Sequence, residues 1–282
     1  MENLIEEMDD LIHRFTIEGK KFIEIIAFPY GLYEQEKYKI KSGRLGDDFQ
    51  FFALTRSTKT LISIEQLLKL NHNEDVLNLT RSIFENYLSG RYVYENPKQI
   101  DSFIAGPLGV FLAHYKIKPI DNVRKYVISK SNIAIGLAKT TKNLHKGADT
   151  KYYSPFYAFL CTFAHCNFGT YGCYMDFPDY TLDKVNHAEL SRLFTIFSYS
   201  KVFENVVTVE GEDFLEGQEE DCYQLVLDSK RLQKKVFGRL IKMYQIDGDE
   251  VDKPFNLNMV ELLRNMKMSL QEEVGSVPYE WT

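Results

Sequence analysis

Apolar side chains recur every three to four residues through most of this chain, while every-second-residue alternation is short and scattered. The first spacing lines up one face of a helix; the second would line up one face of a strand. The fold class that follows is all-α, an irregular multi-helix bundle. Residues 3–28 form the first helix, with Leu4, Ile5, Met8, Leu11, Ile12, Phe15, Phe22, Ile25 and Ile26 as its stripe. Phe28-Pro29-Tyr30-Gly31 ends it, because proline and glycine continue a helix poorly. A second helix spans 48–70. Asn73 can cap a third that runs to Glu95 and stops before Pro97. A fourth is expected over 98–115, kinked near Gly106-Pro107. Ser154-Pro155 restarts a helix that runs to Met175, and further helices follow over 187–206, 222–245 and 257–272.

Two of these helices, about 74–95 and 155–175, are apolar around so much of their circumference that both should be buried at the centre. The expected organisation is a helical core domain over 1–208, an acidic loop over 209–221 and a C-terminal helical extension over 222–282 packed on the core. The 44% hydrophobic content is ample for such a core and excludes a mostly disordered chain.

Charge is distributed in blocks. The net charge of −6 argues against indiscriminate coating of nucleic acid, yet it averages segments of opposite sign. Residues 116–151 hold nine Lys/Arg and two Asp, with weak apolar periodicity apart from short helical pieces near 120–129 and 131–143. Glu210–Asp221 holds seven carboxylates and no base, and reads as a solvated loop before a basic amphipathic helix. The acidic start lacks the basic, apolar pattern of a secretory signal, and no stretch approaches the ~20 apolar residues of a membrane span. The four cysteines form no C-x-x-C pair. A cytoplasmic protein with free thiols and no membrane contact is therefore expected.

Phosphate loops, the G-x-S-x-G elbow, H-E-x-x-H and zinc-spaced Cys/His sets are absent from the sequence, so no cofactor or metal is expected. A site of His165 and Glu85 with a carboxylate such as Asp176 is the weakest alternative. The chemistry-bearing residues lie on the two apolar helices. Arg81 and Glu85 stand one turn apart among Leu77, Phe84 and Leu88. An arginine in low dielectric needs a partner, and Glu85 is in reach. The pair is either a structural ion pair or a charged pair at the floor of a cleft. His165 projects from a stripe of small residues, Ser154, Ala158, Cys161, Thr162, Gly169 and Gly172. It is either a satisfied core histidine or one that faces a ligand. Gly169 and Gly172 each weaken a helix by ~1 kcal/mol relative to alanine, which close packing or ligand access would explain.

The pattern Arg81-Ser-x-x-Glu85 in one helix, followed by Tyr157 and Ala-His165 in a later one, resembles a bacterial domain-of-unknown-function family (number 5677). That family resembles helical HEPN proteins, many of them ribonucleases of toxin and phage-defence systems. The resemblance implies a defence- or stress-associated, metal-independent ribonuclease in which His165 is the general acid or base, Arg81 stabilises the charged transition state and Glu85 orients either of them. HEPN ribonucleases carry R-x(4–6)-H within one helix; no arginine here precedes a histidine at that spacing. Arg81 and His165 must then meet across helices. Lys139, Lys142, Lys146 and Lys151 would hold an RNA backbone, and Tyr152 and Tyr153 would stack on bases. The alternative is a non-catalytic helical interaction or regulatory module, with a protein partner or a second copy of the chain in place of RNA. In that case Arg81, Glu85 and His165 form a buried polar network that fixes helix register.

Overall fold

The computed structural model describes residues 2–27, 45–96, 100, 147–166, 168–207, 218–246 and 253–275. Among the described residues the α-helices are α1 (Glu2–Ile25), α2 (Leu45–Lys69), α3 (Asn73–Glu95), α4 (Tyr153–Ala164), α5 (Ala188–Val207), α6 (Gln218–Ile246) and α7 (Lys253–Gly275). Short 3-10 turns cover Gly147–Lys151 and Phe168–Cys173, and one two-stranded ribbon pairs β1 (Met175–Asp176) with β2 (Asp179–Tyr180). The architecture is an all-α multi-helix bundle. The expected helix over 98–115, the pieces near 120–129 and 131–143, and the acidic residues 210–217 lie outside the described residues.

The centre of the bundle is α5. Every residue from Leu190 to Phe203 is buried, and α5 packs against α1, α2, α3 and α6. The sequence had suggested 155–175 as the second central helix beside α3; that segment instead ends as a helix at Ala164. The residues that follow, through Asn167 and the glycines 169 and 172, are poor helix formers, and the chain leaves the helical path there. α5 takes the centre because it has no polar face. Phe194, Phe197, Tyr199 and Phe203 are all buried, and two of the hydroxyls between them bond back to the helix's own carbonyls. Thr195 Oγ1 donates to the Ser191 carbonyl at 2.8 Å and Ser200 Oγ to the Phe197 carbonyl at 3.1 Å.

Aromatic rings knit the helices around α5. Phe15 of α1 lies edge-on to Tyr199 and Phe203, with centroids 5.3 and 5.5 Å apart. Phe156 of α4 meets Phe84 of α3 at 4.8 Å and Phe194 at 5.0 Å. Phe237 brings α6 onto Phe197 at 6.1 Å. Buried apolar residues of α6 and α7, among them Val236, Leu240, Leu263 and Met266, belong to the same continuous core.

Buried polar pairs fix the sliding of helix on helix, which apolar packing alone would leave loosely specified. Thr58 bonds Tyr199 at 2.7 Å, Thr80 bonds Thr195 at 2.8 Å, and Asn86 donates to Ser57 at 2.9 Å. Asn73 does not cap α3. Its Oδ1 accepts Ser191 Oγ at 2.9 Å, so the side chain ties α3 to α5. Two glycines permit close approach. A Cβ on Gly19 would strike the Tyr199 hydroxyl and lie 2.9 Å from Thr58 Oγ1; one on Gly90 would lie 2.6 Å from Gln50 Oε1. Glu219, Glu220 and Asp221 are not loop residues. They form the first turn of α6, where carboxylates favourably face the positive end of the helix dipole.

Candidate functional site

Arg81 and Glu85 sit one turn apart on α3, and the third member of their cluster comes from α4. Arg81 Nε donates to Glu85 Oε1 at 3.0 Å, and an Arg81 terminal nitrogen donates to the Tyr157 hydroxyl at 3.0 Å. That hydroxyl in turn donates to Glu85 Oε1 at 2.9 Å, which closes a ring of three hydrogen bonds. The guanidinium carbon lies 5.2 Å from the centre of the Tyr157 ring, within cation–π range. Tyr157 is held in place by stacking on Tyr153, with centroids 5.6 Å apart. The Arg81 and Glu85 side chains are 24% and 30% exposed, so the ring is half-buried between α3 and α4. Burial opposes the charge on Arg81, but Glu85, Cys161 and Tyr157 outweigh it and hold its pKa above the ordinary value. The ion pair expected from the sequence is present. The tyrosine that completes it was visible only as part of the resemblance pattern, because nothing in local spacing brings residues 81 and 157 together.

His165 does not join this ring. It follows the last residue of α4 in an extended conformation, with φ −122° and ψ 150°, and is exposed. Eight residues separate it from Tyr157, about 12 Å along a helix axis. Among the described residues no hydrogen bond or ion pair links His165 to Arg81 or Glu85. α4 ends one residue before the histidine, and the His165 side chain is left at the surface with no direct bond to the ring.

The expected RNA-contacting residues divide. Lys139, Lys142 and Lys146 lie outside the described residues. Lys151 is exposed at the end of its 3-10 turn. Tyr152 and Tyr153 are 0% and 2% exposed, which corrects their expected role in base stacking. The junction into α4 turns both rings inward, where Tyr152 lies edge-on to Phe197 at 5.4 Å. The Tyr152 hydroxyl donates to Asp149, a fully buried carboxylate that also pairs with Arg91. Tyr87 accepts from Arg91 at 2.9 Å and donates to Asp149 at 3.3 Å. The buried Lys201 ammonium lies 5.0 Å from the centre of the Phe197 ring and 5.3 Å from that of Tyr87. This cluster ties the 3-10 turn at Gly147–Lys151 to α3 and α5.

Between α4 and α5 the chain makes an excursion that carries a second set of groups. Phe168 and Tyr171 stack on each other at 5.0 Å, and Phe177, Tyr180 and Leu182 are 85%, 76% and 96% exposed. At its base Cys173 Sγ lies 3.6 Å from His187 Nε2, and Asn186 donates to the Cys173 carbonyl at 3.3 Å. Burial and the nearby Glu74 push the Cys173 thiol up to about 11, and burial lowers the His187 pKa. A protonated thiol beside a neutral imidazole is the reverse of an activated thiolate–imidazolium pair. The four cysteines are free. Among the described residues no group of three or more His, Cys, Asp or Glu side chains is placed to hold a metal ion, and no helix is long and apolar enough to cross a membrane.

No curated protein and no solved structure matches the chain. Residues 48–181 match the model of a family described as Family of unknown function (DUF5677). The matched span runs from α2 through β2 and contains Arg81, Glu85, Tyr157 and the aromatic excursion as far as Tyr180. This segment of the chain belongs to that family of unknown function.

Proposed function

We propose that the chain is a non-catalytic helical interaction module that uses the aromatic excursion between α4 and α5 to dock another protein. One observation carries this reading. Phe168, Tyr171, Tyr174, Phe177, Tyr180 and Leu182 are all exposed within fifteen residues of sequence, on a segment of short turns and a minimal ribbon. A contiguous group of large apolar side chains facing water marks a surface that is covered in use. Among the described residues none of them belongs to the hydrophobic core around α5.

The closed ring of Arg81, Glu85 and Tyr157 supports the same reading. Two of the arginine's donors and the tyrosine's proton are committed within the ring, and the histidine needed as acid or base lies outside it. The ring then fixes the register of α4 on α3.

The test places a photo-crosslinking residue at position 177 in living cells, with position 231 on α6 as an exposed control. The expected result is a protein adduct from position 177, sensitive to protease and resistant to ribonuclease, that is absent from position 231. Adducts to RNA, or cleavage of RNA by the purified chain that Arg81→Ala or His165→Ala abolishes without loss of fold, would establish the ribonuclease reading in its place.

A further inference from the structure

We propose that His187 is an acid-sensitive latch on the excursion: when its imidazole takes up a proton, the ring leaves Phe159, Phe163 and Cys173, and the segment that carries the docking side chains comes loose at its base. The inference rests on the interaction reading above and concerns the regulation of that same site.

Position makes His187 the hinge. It is the last residue before α5, and its carbonyl accepts the amide of Ser191 at 2.8 Å. Its φ of 56° lies in the left-handed region. Few non-glycine residues take that conformation, and one that does is held there by its contacts. Here the contacts are those of the ring. The ring centres of Phe159 and Phe163 on α4 lie 6.4 and 5.5 Å away, both edge-on, and Nε2 lies 3.6 Å from Cys173 Sγ on the 3-10 turn. One half-buried side chain thus joins α4, the excursion and the start of α5. The neighbouring Asn186 adds its bond to the Cys173 carbonyl.

The groups around the ring suit a neutral imidazole better than a charged one. From α4 it meets the phenyl rings of Phe159 and Phe163. The 3-10 turn offers Cys173, whose thiol is pushed up to about 11 and so keeps its proton through the whole acid range. A protonated thiol is a weak acceptor for an imidazolium. From α3, Glu74 reaches the contact through hydrogen bonds with Cys173 and Asn186, and Asp75 stands beside it. Burial raises the Glu74 carboxyl, so its negative charge is withdrawn early as acid is added. On α5, Glu189 is paired with Arg239 at 3.0 Å. Within the excursion, Lys184 donates to the Met175 carbonyl, and His165 beyond the end of α4 is exposed. Burial lowers the His187 pKa from the 6.5 of a free imidazole. The latch is therefore fully closed above pH 6.5, weakens as the pH falls below 6.5 and levels off below the folded value.

The experiment follows amide hydrogen exchange of the full chain by mass spectrometry, each rate divided by its intrinsic value, from about pH 7.5 to about pH 5, the window in which histidine titrates. Peptides from 168–186 are expected to lose protection as the pH falls, by at most about tenfold per pH unit, the limit for one proton. Peptides from 190–203, at the centre of α5, are expected to keep theirs. His187→Phe keeps a ring against Phe159 and Phe163 but takes up no proton, so its profile should be flat. Glu74→Gln and His165→Gln should retain the parent's response. The His187 ring-proton resonance gives a reading that needs no variant, and its midpoint should fall below 6.5. A midpoint at or above 6.5, protection independent of pH in the parent, or an equal loss in His187→Phe would overturn the latch and leave the docking reading standing. Loss of the response in Glu74→Gln or His165→Gln would overturn it too, by assigning the proton elsewhere. A response that His187→Phe abolishes, with no protein adduct from position 177 at neutral pH, would support the latch and refute the docking reading instead.

Discussion

Replacing Arg81 by alanine removes two hydrogen bonds and the guanidinium that rests against the Tyr157 ring. A hydrogen bond to a charged group contributes about 1.5–3 kcal/mol when buried. With Arg81 and Glu85 at 24% and 30% exposure, water partly replaces what is lost, so about 1 kcal/mol per bond is the reasonable scale. Arg81→Ala should therefore destabilise the fold by about 2 kcal/mol, or about 4–8 °C in melting temperature. Tyr157→Phe keeps the stacked ring and loses only the hydroxyl, which should cost about 1 kcal/mol. Because that hydroxyl both accepts from Arg81 and donates to Glu85, the two substitutions should not add. A double-mutant cycle by urea unfolding, followed by far-UV circular dichroism, should give a coupling energy of about 0.5 kcal/mol or more. Additivity within about 0.3 kcal/mol would refute the closed ring. An Arg81→Ala protein with unaltered stability would refute the claim that Arg81 fixes the register of α4 on α3.

Phe156 is fully buried against Phe84, Phe194 and Phe197, so Phe156→Ala should cost about 3–5 kcal/mol in chemical unfolding. Asp149→Ala should cost about 3–5 kcal/mol, since it leaves Arg91 beside a buried void where its carboxylate partner stood; Arg91→Ala/Asp149→Ala should recover part of that loss. Burial raises the Glu74 carboxyl above its ordinary value of 4.5, so the folded state keeps this proton to higher pH than the unfolded chain does. The group's contribution is fully present below pH 4.5 and is lost as pH rises through the folded value. Glu74→Gln should consequently melt higher than the parent at neutral pH, with the gap closing on acidification; a gap that widens in acid would contradict the assignment.

Much of the helix layout was legible in the sequence because helix formation there is dictated locally. The residues from Asn73 to Glu95 form a helix with the bounds read from the stop at Pro97 and the start at Asn73. α1, α2, α5, α6 and α7 fall within four residues of their expected limits. Each has apolar spacing of one turn and an ending that proline, glycine or a polar cluster imposes. The pairing of Arg81 with Glu85 was legible for the same reason, since four residues along a helix bring two side chains together.

The centre of the bundle and the company of the site were not. α5 is buried on every face, with Arg192 and Lys201 buried among its apolar and small hydroxyl side chains, so periodicity cannot say which way it turns; only packing by α1, α2, α3 and α6 makes it central. The continuous apolar run after Tyr153 was legible as material for burial, but not as a helix that stops at Ala164 and gives way to an exposed ribbon. Tyr157 reaches Arg81 across 76 positions of sequence, and Tyr152 finds Phe197 across 45. Spacing along the chain fixes which residues share a helix face. It cannot fix which two faces meet, because that depends on how whole helices share one core, and the same sum decides which rings are buried and which remain on the surface.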